Sequence, residues 1–156
     1  MMDTARLQIL PLRVEHAEEM AAVLDDPRLH EFIGGTPATP AELRARYRRQ
    51  VAGPPGWRNW VLRLREDGHL VGYVQATVDE KTAELAWVIG TPWQGRGLAA
   101  EAAEALVGWC EEQGMETVVA HIHPDHAASA AVAARVGLHP TGRMHDGEVR
   151  WERTLS

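Results

Sequence analysis

The spacing of apolar residues along the chain changes several times, and each change predicts a different element. A strand over residues 7–12 comes first, followed by helical spacing over residues 17–24 that ends at Pro27. A turn-rich loop over residues 34–40 then leads into a second helix over residues 40–50. The N-terminal part is therefore predicted to contain one strand and two helices.

The middle of the chain alternates apolar and polar residues, which is the spacing of half-buried strands. Three such segments follow one another closely, at residues 57–65, 69–78 and 83–89. Asp67-Gly68 between the first two is a favoured hairpin turn. Because the connections are so short, the three strands are predicted to form an antiparallel meander.

Beyond residue 90 the chain becomes rich in glycine and then in alanine. Helical spacing over residues 98–113 is followed by a strand over 117–122, a second helix over 127–136 and a closing hairpin of residues 138–144 and 148–154. This order of elements predicts an α/β domain with a mixed sheet.

Length and composition narrow the class of protein. With 156 residues, of which 45% are hydrophobic and 24% charged, the chain fits one globular domain over residues 1–156. A formal net charge of −6 argues against nucleic acid as a partner. Neither a signal-like core nor a bilayer-spanning apolar run occurs, which predicts a cytoplasmic protein without membrane contact. The single cysteine, Cys110, lies among apolar helical residues and is predicted to be a buried hydrophobe.

The junction between the strand ending at Ile89 and the helix starting near Leu98 carries the candidate chemistry. A helix that follows such a loop leaves its first backbone N–H groups without helical partners, and its dipole favours an anion there. Gly95 and Gly97 let the backbone approach a phosphate closely. The sequence therefore predicts a binding site for a pyrophosphate.

The hexapeptide Gln94-Gly95-Arg96-Gly97-Leu98-Ala99 resembles the Gln/Arg-x-x-Gly-x-Gly/Ala loop of GNAT acetyltransferases. Further segments are similar to the branch that contains ribosomal-protein-alanine acetyltransferases, namely Thr4–Leu7, Asp67–Gly72 and Pro124–Leu138. The resemblance covers roughly residues 4–155. It implies a GNAT fold, with a mixed twisted sheet of about seven strands and helices on both faces.

The resemblance also implies an activity, the transfer of an acetyl group from acetyl-CoA to a primary amine by direct attack in a ternary complex. The pyrophosphate of the cosubstrate is expected on Gln94, Gly95, Arg96, Gly97, Leu98 and Ala99. Its pantetheine arm is expected along the backbone of Trp87, Val88 and Ile89, where the strand splays from its neighbour, often at a bulge. The family's asparagine contact falls on His126 here. No metal is expected.

The catalytic groups are less clear from the resemblance. The family's tyrosine acid falls on Ala133, so Ser129 is the candidate for protonating the leaving thiolate. Glu84 is the leading candidate for the base, acting through water, and His121 is the second. A surface carboxylate and a core histidine are the structural alternatives for these two residues.

Three other functions stay open on the sequence alone. The run His121-Ile122-His123-Pro124-Asp125-His126 matches the H-x-H-x-D-H pattern of zinc hydrolases. The spacing of Gly95, Gly97 and Ala100 satisfies a loose dinucleotide fingerprint. A protein of the same fold could also bind an acyl-CoA as a sensor without transferring the acyl group.

The acceptor is an amine whose identity the sequence does not specify, either a small molecule or a protein N-terminus. Four arginines on the second helix either form a solvated face or line the acceptor cleft: Arg44, Arg46, Arg48 and Arg49. By resemblance, a homodimer is compatible with the chain.

Overall fold

The computed structural model describes residues 2–33 and 35–155. The predicted loop over residues 34–40 and the predicted domain over residues 1–156 thus include positions outside the described residues, namely Met1, Gly34 and Ser156. The strands are β1 (Leu7–Pro11), β2 (Trp57–Leu64), β3 (Leu70–Asp79), β4 (Thr82–Ile89), β5 (Thr117–Ile122), β6 (His139–His145) and β7 (Glu148–Thr154). The helices are α1 (Ala17–Val23), α2 (Pro27–Ile33), α3 (Pro40–Ala52), α4 (Leu98–Glu112) and α5 (Ala127–Arg135).

All seven strands form one sheet in the order β1-β2-β3-β4-β5-β7-β6. Strands β1 to β4 pair antiparallel, which confirms the predicted meander, and β4 pairs with β5 in parallel. The parallel pair is joined through α4, as a crossover connection requires. The predicted mixed sheet is therefore confirmed.

Helices cover both faces of the sheet, because the strands alternate their apolar side chains between two cores. On β2, Leu62 and Leu64 lie in the core under α4 and α5, whereas Val61 lies in the core under α1 and α3. Successive residues of a strand point to opposite faces, so a strand covered on both sides is apolar at nearly every position. The predicted α/β architecture is thus the one observed.

The parallel pair is the feature that shapes the site. Strand β4 pairs with β5 only between Thr82–Glu84 and Thr117–Val119, and the last five residues of β4 have no partner on that side. Strand β4 pairs with β3 along its whole length without a shift in register. Strand β4 therefore has no bulge at the point where it separates from β5. The sheet therefore contains a wedge-shaped opening between the carboxyl half of β4 and β5.

One helix was not predicted from the sequence. Pro27 was expected only to end a helical region, but α1 ends at Val23 and Pro27 is the first residue of α2. Proline is well tolerated at the first helical position because the N–H that it lacks would have no helical partner there. The error matters because α2 lies against the opening in the sheet.

Candidate active site

The loop before α4 has the backbone conformation that its glycines predict. Gly95 and Gly97 have φ angles of 79° and 77°, a left-handed region that residues with a side chain avoid. Helix α4 begins after Gly97 with no side-chain cap, and its first hydrogen bond joins the Glu101 N–H to the Gly97 carbonyl at 3.1 Å. The N–H groups ahead of Glu101 have no partner within the helix, so they can donate to an external anion.

An arginine immediately before β1 holds this loop in place. The Arg6 guanidinium donates to the carbonyl of Arg96 at 2.8 Å and to the Glu101 carboxylate at 2.7 Å. The same carboxylate accepts from the Arg6 backbone N–H and the Thr4 hydroxyl. Burial raises the pKa of Glu101, but the hydrogen bonds from Thr4 and Arg6 outweigh it, so that the pKa lies below its ordinary value. The loop and the first turn of α4 are thus tied to the sheet by charged groups.

A cleft of about 580 Å³ lies between β4, the loop, α4 and α5. We call it the cofactor cleft. Most of the predicted cofactor residues line it: Trp87, Val88, Ile89, Gln94, Gly95, Gly97, Leu98, Ala99 and His126. Arg96 is not among the lining residues, since its guanidinium pairs with Glu66 at 3.5 Å. The amide of Gln94 donates to the Ile89 carbonyl at 2.9 Å and so closes the turn at the end of β4.

A second cavity, of about 440 Å³, lies beside the first. We call it the acceptor cavity, and it is lined by β3, β4, β5 and the hairpin of β6 and β7. Both Glu84 and His121 line it. Five residues line both cavities: Phe32, Trp87, Val88, His126 and Ser129. The two spaces therefore meet at one boundary, located at the opening between β4 and β5.

The two candidate bases form one hydrogen-bonded pair. The Nδ1 atom of His121 lies 2.9 Å from a carboxylate oxygen of Glu84. The His121 side chain is only 16% exposed, whereas Glu84 is 46% exposed and faces the cavity. A carboxylate that holds one ring nitrogen fixes the orientation of the imidazole. The pair can therefore accept a proton at the edge of the cavity.

His126 forms part of the boundary through an aromatic contact. Its ring stacks on Phe32 from α2, with centroids 4.1 Å apart and an angle of 10° between the planes. Burial, together with the neighbouring His123, lowers the pKa of His126. The ring is therefore neutral near pH 7 and carries one N–H donor. Ser129 lies one turn further along the chain in α5 and faces both cavities.

Cys110 and the histidines of the zinc-like run at residues 121–126 each have a structural role in the fold. Cys110 is fully buried, which confirms the prediction of a core residue, and burial raises the pKa of its thiol to about 12. His121 pairs with Glu84, His126 stacks on Phe32, and the His123 ring accepts the Asp125 N–H at 3.0 Å. Within residues 2–33 and 35–155, no three histidine, cysteine or acidic side chains converge on a metal position.

Several residues of the site were not predicted from the sequence. Helix α2 contributes Arg28, Leu29 and Phe32 to the cofactor cleft, and β3 contributes Tyr73 and Gln75 to the acceptor cavity. The apolar pair Leu29 and Phe32, three residues apart behind an N-terminal proline, is a signal that could have revealed α2. The side chains of β3 gave no such signal, because half-buried strands commonly carry polar residues on one face.

Residues 6–139 of the chain match the family model of the acetyltransferase (GNAT) domain. The chain belongs to this family. Structural similarity agrees with it, since a GNAT acetyltransferase from Bacillus anthracis superposes with a TM-score of 0.84 at 20% identity, over 97% of this chain and 96% of the other. A ribosomal α-N-protein acetyltransferase, solved in complex with coenzyme A, gives a TM-score of 0.85 at 16% identity, over 97% and 96% of the two chains. At these identities the two structures show the fold alone.

Two curated relatives share more sequence. The FsC-acetyl coenzyme A-N(2)-transacetylase of Aspergillus fumigatus is 28% identical over 177 aligned positions, covering 97% of this chain and 74% of the relative. An N-acetyltransferase of Bacillus subtilis is 28% identical over 82 residues, covering 51% of this chain and 48% of the relative. The second match thus spans about half the length of that relative. No helix among the described residues is long and apolar enough to cross a membrane.

Proposed function

We propose that this protein is an N-acetyltransferase that moves an acetyl group from acetyl-CoA to a primary amine in a ternary complex. The observation that carries the proposal is the boundary between the two cavities. There, a cleft that ends on a glycine loop and a helix N-terminus meets a cavity that contains the Glu84–His121 pair. The coenzyme A bound in one structure of similar fold, and the acetyl-CoA in the name of the Aspergillus relative, support the choice of cosubstrate.

In this proposal the pyrophosphate binds the N–H groups of the loop and of the first turn of α4, between Gln94 and Ala99. The pantetheine arm lies along Trp87, Val88 and Ile89, where β4 has no strand partner on its β5 side. A strand edge of this kind offers free backbone groups to an extended amide chain. His126 donates its single N–H to the arm from the facing helix.

The reaction needs a proton acceptor on one side of the thioester and a proton donor on the other. The nitrogen of a neutral amine attacks the carbonyl carbon, so that the C–N bond forms and the C–S bond breaks. Glu84, with His121 and through a water molecule, takes the proton that the amine loses. Ser129 gives a proton to the departing thiolate, and a backbone N–H of Val88 or Ile89 polarises the carbonyl. The products are the acetylated amine and coenzyme A.

The finer placement of the chain within its family is also a proposal. The sequence motifs resemble the branch of ribosomal-protein-alanine acetyltransferases, and a ribosomal α-N-protein acetyltransferase has a similar fold. Another protein of similar fold is an aminoglycoside acetyltransferase, solved once with coenzyme A and once with paromomycin and acetyl-CoA. Protein N-termini and small amines are thus both compatible with the fold. The cytoplasmic location and the homodimer stay predictions.

A sensor that binds acyl-CoA without turnover is the second candidate, favoured by Ala133 at the position of the family's tyrosine. Two measurements separate it from the enzyme. Calorimetric titration of acetyl-CoA into the protein tests binding, and release of the coenzyme A thiol in the presence of a panel of primary amines tests turnover. We expect both. Binding of acetyl-CoA without amine-dependent thiol release would contradict the enzyme and support the sensor. Absence of binding would contradict both functions.

A further inference from the structure

The acceptor cavity differs from the cofactor cleft in the charge of its walls. Two arginines, Arg28 and Arg135, and one carboxylate, Glu31, line the cofactor cleft. The described residues that line the acceptor cavity include no lysine or arginine, and its carboxylates are Glu84, Asp146 and Glu148. With neutral histidines, the lining carries a formal charge of −3. A pocket of one sign attracts ligands of the opposite sign.

One of these carboxylates has no side-chain partner among the described residues. Glu84 pairs with His121, and Asp146 lies 3.3 Å from the ring of His145. Glu148, at the first position of β7, is half-buried and has no ion pair or side-chain hydrogen bond among the described residues. A partly buried carboxylate without a partner is unfavourable, and a bound cation would remove that penalty.

The carboxylates of the acceptor cavity come from two parts of the sheet. Glu84 lies in β4, on the strand that also forms the boundary with the cofactor cleft. Asp146 and Glu148 belong to the hairpin of β6 and β7, which lies beyond β5 in the sheet. The ring of His145 in the hairpin lies 5.1 Å from the ring of His121, so an acceptor whose amine reacts beside Glu84 can extend past these rings towards Glu148.

We infer that the acceptor is a small molecule with at least two amino groups. One amine, uncharged, reaches the thioester beside Glu84 and His121. A second amino group, charged, is bound at the far end by Glu148. The inference rests on the proposed acetyl transfer, and it specifies the substrate class of the same site.

Three acceptors of five carbon atoms each test the far end of the molecule. Pentylamine, 1,5-diaminopentane and 5-aminopentanoate share one primary amine, and their other ends are uncharged, positive and negative, respectively. Thiol release at saturating acetyl-CoA gives kcat/KM for each. A charge-assisted hydrogen bond to Glu148 predicts a kcat/KM about tenfold higher for the diamine than for pentylamine. The aminopentanoate is expected to be the poorest of the three.

A variant that lacks the charge of Glu148 tests whether this side chain causes the preference for the diamine. Glu148→Gln keeps the size of the side chain, and we expect the ratio of diamine to pentylamine to fall from about ten to about two. Glu112→Gln removes the same charge at the exposed end of α4, outside both cavities, and is expected to keep the ratio of the unaltered protein. Because each ratio compares two acceptors on one protein, a partly unfolded sample does not change it.

The outcomes separate this inference from the function on which it rests. The inference would be overturned if pentylamine or aminopentanoate had the same kcat/KM as the diamine, or if the ratio of diamine to pentylamine were unchanged in Glu148→Gln. Either result would leave acetyl transfer in place. Calorimetric titration of diaminopentane into protein saturated with coenzyme A gives the same information without turnover, and absence of binding there would also overturn it. Absence of coenzyme A binding would contradict the proposed function itself, and this inference with it.

Discussion

The two cavities that meet at the opening between β4 and β5 are built in different ways. The cofactor cleft takes about half of its lining from one continuous stretch, the end of β4, the glycine loop and the start of α4. The acceptor cavity takes its walls from segments that are far apart in the sequence, namely β3, β4, β5 and the hairpin of β6 and β7. A site made by a continuous segment leaves a recognisable motif in the sequence, whereas a site assembled from separate strands does not.

The two regions also differ in the groups that they offer. The cofactor cleft presents backbone N–H groups at a helix N-terminus, which every sequence with the right glycines can supply. The acceptor cavity presents side chains, namely the Glu84–His121 pair and the carboxylates of the hairpin. Substitutions should therefore affect the two regions separately, with backbone conformation decisive in one and side-chain chemistry in the other.

The largest expected effect comes from Glu84→Gln. Removing the proton acceptor in the acceptor cavity should lower kcat/KM for the amine by about 100-fold, because general base catalysis contributes at least that much in most enzymes. The Kd for acetyl-CoA, measured by calorimetry, should stay within about twofold, since Glu84 does not line the cofactor cleft.

The double variant Glu84→Gln with His121→Gln sharpens this prediction. If the two residues act as one unit, the double variant should lose little more activity than Glu84→Gln alone. Losses that multiply would show that the residues act independently. An unchanged kcat/KM in both single variants would remove the pair from the mechanism.

The second largest effect is expected in the cofactor cleft, on the affinity for acetyl-CoA. Gly97→Val places a β-branched residue at a φ of 77°, which costs about 1–2 kcal/mol even where space is available. The loop should shift, and we expect the Kd for acetyl-CoA to rise by about 30-fold in a calorimetric titration. Gly108→Ala, in the interior of the same helix with open space around the added carbon, is the control. An acetyl-CoA affinity that survives Gly97→Val would mean that the pyrophosphate binds elsewhere.

Ser129→Ala tests the boundary between the regions. Loss of the hydroxyl should lower kcat by about tenfold without changing the Kd for acetyl-CoA, because protonation of the thiolate occurs only after attack. Steady-state kinetics with a single amine is sufficient. Turnover within about twofold of the unaltered protein would contradict the proposed role of Ser129.

The smallest effect concerns stability. Glu101→Gln removes the negative charge and replaces one of the two oxygens that accept from Arg6 and Thr4 with an NH2 donor, and we expect the free energy of unfolding at pH 7 to fall by about 1–2 kcal/mol. The folded pKa of Glu101 is depressed, so its stabilisation is present above the unfolded value near 4.5 and is lost as the pH falls through the folded value. Urea unfolding of both proteins between about pH 3 and pH 7 should therefore show the difference shrinking towards acid.

The control for this prediction lies one turn further along α4. Glu104 makes an exposed ion pair with Arg135 at 3.5 Å, and Glu104→Gln should change stability by less than about 0.5 kcal/mol. Equal losses in the two variants would show that charge on α4 in general, and not the contact with the start of β1, is responsible.

Much of the fold followed from local patterns. Strand β5 and strand β7 have the predicted bounds, and α4, α5 and the meander agree with the predicted segments within one or two residues. Alternation, helical spacing and turn glycines act over a few residues, so they remain visible in a single sequence. Helix α2 was missed because Pro27 marks the end of one helical region and the start of another equally well.

The site likewise contains one part that local sequence determines and another that depends on the tertiary structure. The glycine loop at the start of α4 could be recognised from the amino-acid order alone, since left-handed φ angles and free helical N–H groups are local properties. The folded chain was needed to show that Glu84 and His121, 37 positions apart, form one pair, that Arg6 holds the loop, and that Glu148 is left without a cation. Such contacts depend on strand order and on where β4 leaves β5, and these are set by the packing of the whole sheet between its helices.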